Sequence, residues 1–159
     1  MNGGTALALG RCLLLLLLVA LLNAGAALAE EFNIGPERRL LAGYDPVSYF
    51  EAPEPERGVR AFRLVRDGVE ILFASDENRA RFLADPEHYL PAYGGYCSFG
   101  VRMGQRLGVD PLAYRIVDDR LFLQHDPGTQ RVWRMSERRN IAIADRVWPQ
   151  IAEPTAAPE

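Results

Sequence analysis

The chain has 159 residues and no lysine; all 18 basic residues are arginines. Without lysine there is no side-chain amine nucleophile and no Schiff-base chemistry. Cysteine is almost as scarce, with only Cys12 and Cys97. Histidine occurs only at His88 and His125. The paired Cys-x-x-Cys spacing of a dense metal motif is missing. So are a phosphate-binding glycine loop, a dinucleotide fingerprint and a Ser-His-Asp order. An excess of positive charge is missing too. The formal net charge is −3, which opposes non-specific binding to nucleic acid and predicts no nucleic-acid partner.

A long membrane-spanning run is also lacking. Leu13 to Leu22 is strongly apolar, but that is roughly half of the ~20 residues a spanning helix needs. Arg11 precedes the run, and Ala27-Leu28-Ala29 closes it with the small-x-small pattern of a cleavage site. Residues 1–29 therefore read as a cleavable signal peptide, with an uncleaved anchor as the rival reading. The residue before Cys12 is Arg11, not the small residue expected ahead of a lipidated cysteine. The expected location is periplasmic or secreted, with no stable membrane insertion after cleavage. Cleavage removes one positive charge, Arg11, and takes the net charge from −3 to −4. It also removes Cys12. Cys97 is then a lone thiol where thiols normally oxidise, and no internal disulfide is possible.

The remaining patterning predicts one α+β domain, two antiparallel β-hairpins packed with several short helices. Residues 30–41 read as a polar lead, 42–149 as the domain and 150–159 as a disordered tail. Asp67-Gly68 between apolar-rich runs signals a hairpin of 61–66 with 69–74. A second hairpin pairs 114–117 with 120–124 around Asp118-Asp119, with Ile116, Leu121 and Leu123 as core candidates. Ser75 caps a helix that buries Phe82 and Leu83. A helix over 97–107 would carry Gly100, Gly104 and Gly108 along one bare face, for close backbone packing or for a ligand. Two closing helices cover 129–135 and 140–148, and Pro149 ends the second. The pattern Asp-Pro-x-x-Tyr occurs at Asp45, Asp85 and Asp110. Each copy reads as the start of a helical turn. Because the flanking sequences differ, this is convergent capping and not a repeat.

Chemistry concentrates in residues 88–97, which hold His88, Tyr89, Tyr93, Tyr96 and Cys97. Gly94 and Gly95 free the backbone to turn just before the thiol. If a helix starts there, its partial positive charge and Arg102 would lower the thiol pKa. Cys97 is then a catalytic or redox candidate, and with His88 and His125 it could hold a copper- or zinc-type transition metal ion. The competing reading is a packing cysteine, because free cysteine is among the most buried residue types. Tyr44, Asp45, Tyr89, Tyr93, Gly94, Gly95, Tyr96, Arg102 and Asp110 would complete a polar pocket. A different class of function is a non-catalytic module that uses a tyrosine-lined surface to hold a small ligand or an exported protein partner. An enzyme of unassigned reaction is the weakest reading, since no base, nucleophile partner and electrophile stabiliser come together.

Several segments resemble the YHS domain family, in its exported branch of YHS domain-containing (seleno)proteins. The carriers are residues 43–50 (Gly-Tyr-Asp-Pro-Val-Ser-Tyr-Phe), Phe73-Ala74-Ser75 with Asn78-Arg79, and Phe82 with Asp85-Pro86-Glu87 and Tyr89. Further carriers are Tyr93-Gly94-Gly95-Tyr96-Cys97, Gly108 with Asp110-Pro111, residues 116–123, Asn140-Ile141-Ala142 and Trp148-Pro149. The resemblance implies a small α+β module often described as metal-binding. In metal-binding members, cysteines stand at the positions matching Ala74 and Asn78. The resemblance also implies that Cys97 matches the selenocysteine of some relatives, which would favour redox chemistry.

Overall fold

Two-residue turns organise the chain. The computed structural model describes residues 32–66 and 68–152. Residues 1–31, which include the expected signal segment, and residues 153–159 lie outside the described residues, as does Asp67. Strand β1 (Val59–Arg66) pairs antiparallel with β2 (Val69–Phe73), and β3 (Asp110–Val117) with β4 (Arg120–Gln124). In the second hairpin Asp118 and Asp119 both take positive φ, 48° and 62°. That combination matches the right-handed twist of the flanking strands.

A two-stranded sheet is marginal alone in water. Each hairpin therefore buries its second strand under helices. Those helices are α1 (Ser48–Glu51), α2 (Asp76–Ala84), α3 (Pro86–Tyr89), α4 (Ser98–Arg102), α5 (Pro127–Arg134) and α6 (Glu137–Ile151). Ser75 caps α2 by accepting from the Asn78 N–H at 3.1 Å, and Asp126 caps α5 by accepting from the Thr129 N–H at 2.8 Å. The fold is the expected small α+β domain with two antiparallel hairpins and six helices.

Strand β4 sits between two cores. Leu121 and Leu123 belong to a cluster with Leu40, Val47, Phe73 and Phe82. Phe122 belongs to another with Tyr93, Val101, Trp133 and Ala144. Successive strand residues point to opposite faces, so one strand feeds both clusters. A one-residue slip would exchange its faces, and burial on both sides fixes the register.

The packed region begins earlier than residue 42. Leu40 and Leu41 are buried, Arg39 bridges to Glu70, and the Asn33 N–H donates to the Gly94 carbonyl at 2.8 Å. Two leucines behind charged residues are too few to make a pattern in sequence. The helix expected over 97–107 is only α4, because Gly104 takes φ +77° and ends it. The close-packing role holds at Gly100, where a Cβ would stand 3.1 Å from Leu107 and from the Gln105 carbonyl. The Asp-Pro motif at 110 lies in β3 and starts no helix. Its carboxylate accepts from the Leu112 N–H at 2.9 Å, across an irregularity between Asp110 and Tyr114. Pro149 does not end α6, which continues to Ile151. Proline φ suits a helix, but the ring removes the N–H that would bond the Asp145 carbonyl, and the helix stops two residues later. Among the described residues no helix is long and apolar enough to cross a membrane.

Candidate functional site

Cys97 follows a left-handed run of three residues, Tyr93, Gly94 and Gly95, with φ of 56°, 59° and 80°. That run turns the chain inward and aims the sulfur into the protein. The thiol is 1% exposed. Its Sγ accepts from the Gly100 N–H at 3.4 Å and donates to Gln124 Oε1 at 3.7 Å. The same Oε1 accepts from the Phe99 N–H at 3.3 Å. The sulfur acts as the N-cap of α4, with no imidazole or guanidinium among its hydrogen-bond partners.

The histidines are engaged elsewhere. His88 Nδ1 lies 3.2 Å from Asp119 Oδ2, and its ring packs on Phe50 and Tyr89. His125 is exposed, with Nδ1 2.9 Å from the Gly108 carbonyl. Among the described residues no three Cys, His, Asp or Glu side chains are placed to hold a metal ion. Arg102 lies over the Phe99 ring at 5.4 Å and donates to Met103 Sδ, not to the thiol.

The expected pocket residues are dispersed. Tyr89 and Tyr93 are buried; Tyr44 and Tyr96 are half-buried. Tyr44 stacks under the Arg57 guanidinium at 4.0 Å, and Tyr96 under Arg106 at 5.7 Å. The Tyr93 hydroxyl donates to Asp145 Oδ1 at 2.9 Å. Burial, with Asp145 beside it, raises the Tyr93 phenol well above its ordinary range. Arg120 completes this group by donating to Asp145 at 2.8 Å, which holds the Asp145 carboxyl below its usual range. Gly94 and Gly95 give their carbonyls to Asn33. Asp110 accepts from the Leu112 N–H within β3.

Asp45 is fully buried and accepts three N–H groups. Oδ1 takes the Val47 N–H at 2.9 Å. Oδ2 takes the Ala74 N–H at 2.8 Å and the Asn78 side-chain amide at 2.6 Å. One carboxylate thus ties the loop before α1 to the end of β2 and the first turn of α2. Ser48 extends the network, donating to the Asp45 carbonyl at 2.6 Å and accepting from the Glu56 N–H at 2.8 Å. Beside it opens a cleft of about 280 Å³ lined by Glu51, Glu56, Ser75, Glu77, Asn78 and Arg81, among others. Arg81 pairs with both Glu51 and Glu77, at 2.9 and 2.8 Å. Local sequence pattern does not assemble this cleft. Its signals were Asp45, expected as a pocket residue, and Asn78, three residues after the cap Ser75.

No family model, no curated protein and no solved structure matches the chain. The metal site implied by the YHS resemblance can be tested on geometry alone. Ala74 offers no donor side chain, and the Asn78 amide is spent on Asp45. These residues do not fit a thiolate metal centre.

Proposed function

We propose that the chain is a non-catalytic binding module, YHS-like in outline, whose ligand site is the cleft between α1 and the first turn of α2. The supporting observation is the burial of the Cys97 sulfur. Cys97, the one cysteine among the described residues, is sealed in the interior, and the accessible polar concavity beside Asp45 contains carboxylates, two hydroxyls, an amide and a guanidinium. Such a set orients a ligand and lacks a nucleophile paired with a base. Of the expected tyrosine-lined surface, Tyr89 and Tyr93 are buried, and the half-buried Tyr44 and Tyr96 each carry an arginine over the ring.

The cleft chemistry selects a small polar ligand bearing a cationic group. Glu51 and Glu77 share Arg81, and Glu56 adds a further carboxylate to the same wall. Thermal-shift measurements against small amines, carboxylates and sugars test this. An amine that raises Tm in the wild-type protein and in Cys97→Ser, but not in Glu56→Gln, is the expected result. A ligand whose effect vanishes in Cys97→Ser and survives in Glu56→Gln would move the site back to the thiol.

A further inference from the structure

We infer that residues 40–84 and 92–135 are two copies of one structural unit, and that Cys97 holds in the second unit the place of Asp45 in the first. The evidence is positional. The first unit opens with a left-handed run, Leu41, Ala42 and Gly43, with φ of 52°, 52° and 86°. The second opens with Tyr93, Gly94 and Gly95, with φ of 56°, 59° and 80°. Tyr44 then takes φ −77°, ψ 146°, and Tyr96 takes φ −75°, ψ 159°. Each tyrosine N–H donates back to the first residue of its run at 3.1 Å. Runs of three left-handed residues that include Leu41, Ala42 or Tyr93 are strained. Two occurrences in the same order are not explained by capping preference.

The match continues. After each tyrosine comes a buried side chain, Asp45 or Cys97, whose own N–H donates to a later loop carbonyl. Asp45 donates to Glu56 at 2.9 Å and Cys97 to Leu107 at 3.0 Å. A helix of one turn follows, α1 or α4. Both hairpins then share one register. Arg66 pairs with Val69 and Val117 with Arg120; Arg63 pairs with Leu72 and Tyr114 with Leu123. Both skip at the same place, resuming at Val59 with Phe73 and at Asp110 with Gln124. Each second strand leads to a capped helix, α2 behind Ser75 and α5 behind Asp126. Each of those helices buries one large aromatic completely, Phe82 or Trp133.

The copies have diverged in chemistry. Asp45 pins its unit with a carboxylate on the hairpin end and on Asn78. Cys97 pins its unit through the Gly100 N–H and Gln124. The ion pair of Glu51 with Arg81 falls at positions matched by Met103 and Val132, which are 60% and 49% exposed. The charged cleft is a property of the first unit alone. This assignment is separate from the ligand reading, and either can fail without the other.

Reciprocal transplants in the full chain test the equivalence. In the second unit the pair is Cys97→Asp with Thr129→Asn, which copies the Asp45–Asn78 link. In the first unit it is Asp45→Cys with Asn78→Thr. Urea midpoints are measured for both singles and the double in each pair. We expect at least one double to be more stable than its Cys97→Asp or Asp45→Cys single, or to fold where that single does not. Doubles no more stable than those singles in both pairs would overturn the equivalence.

Discussion

Asn78 donates its side-chain amide to the buried carboxylate of Asp45 at 2.6 Å. The bond joins two residues 33 positions apart, where the family resemblance predicts a metal ligand at one of them. The link does by hydrogen bonding what a bound ion would do by coordination: it fastens a helix start to a distant loop.

Asp45→Ala strands three N–H donors at once, those of Val47, Ala74 and Asn78. A buried donor left without a partner costs about 1–3 kcal/mol, and neighbouring losses do not add fully. The expected destabilisation is about 3–4 kcal/mol by urea unfolding. Asn78→Ala removes a single donor and should cost about 1–2 kcal/mol. If Asp45→Ala unfolds at the wild-type midpoint, the carboxylate is no staple.

The sealed position of Cys97 makes its reactivity a readout of unfolding. A thiol reagent should modify it at the rate of global or local opening under native conditions, and immediately in denaturant. Rapid native labelling that follows thiolate titration would contradict the buried geometry. Cys97→Ala should lower stability by about 1–2 kcal/mol, through lost packing and the lost cap of α4.

Asp145 gives the protein an acid-sensitive contact. Hydrogen bonding from Arg120 and Tyr93 holds its folded-state pKa below the ordinary 3.8. The unfolded chain then takes up the proton first as pH falls. The contribution is complete above that ordinary value and is lost as pH drops below it, through the folded-state value. The pair is solvent-screened, so Asp145→Asn should cost about 1 kcal/mol at neutral pH. Urea titrations of both proteins should converge towards pH 2–3; a constant difference down to that pH would be inconsistent with this account.

Gly58 makes a different kind of demand. A Cβ there would stand 2.4 Å from the backbone carbon of Leu72 and 2.6 Å from its oxygen. These are main-chain atoms of a paired strand and cannot yield as a side-chain tip would. Gly58→Ala should therefore cost about 2–3 kcal/mol or more. Gly104, with open space at its Cβ position, is the control for steric crowding: there Ala meets only backbone strain at φ +77°, about 1–2 kcal/mol.

Much of the architecture was legible in local chemistry. Asp118-Asp119 announced a hairpin, Ser75 announced α2, and the expected closing helix over 140–148 falls within α6. The Asp-Pro-x-x-Tyr motif misled, because it stands before two helical turns but inside a strand at Asp110, and in neither helix does its aspartate side chain cap the first turn. The duplication stayed hidden too. Its two copies share backbone angles and strand register, and few side chains beyond Gly43 with Gly95, Tyr44 with Tyr96 and Leu72 with Leu123.

By itself the sequence determined which segments become hairpins and helices, because turn and cap preferences act within a few residues. It also determined that the chain holds only two cysteines, Cys12 and Cys97. Only the tertiary structure decided where the Cys97 thiol points, since a left-handed run of three residues turns it inward onto Gln124. It decided as well that Asp45 meets Asn78. Contacts between residues far apart in sequence depend on how both cores close around β4, and no local preference encodes that.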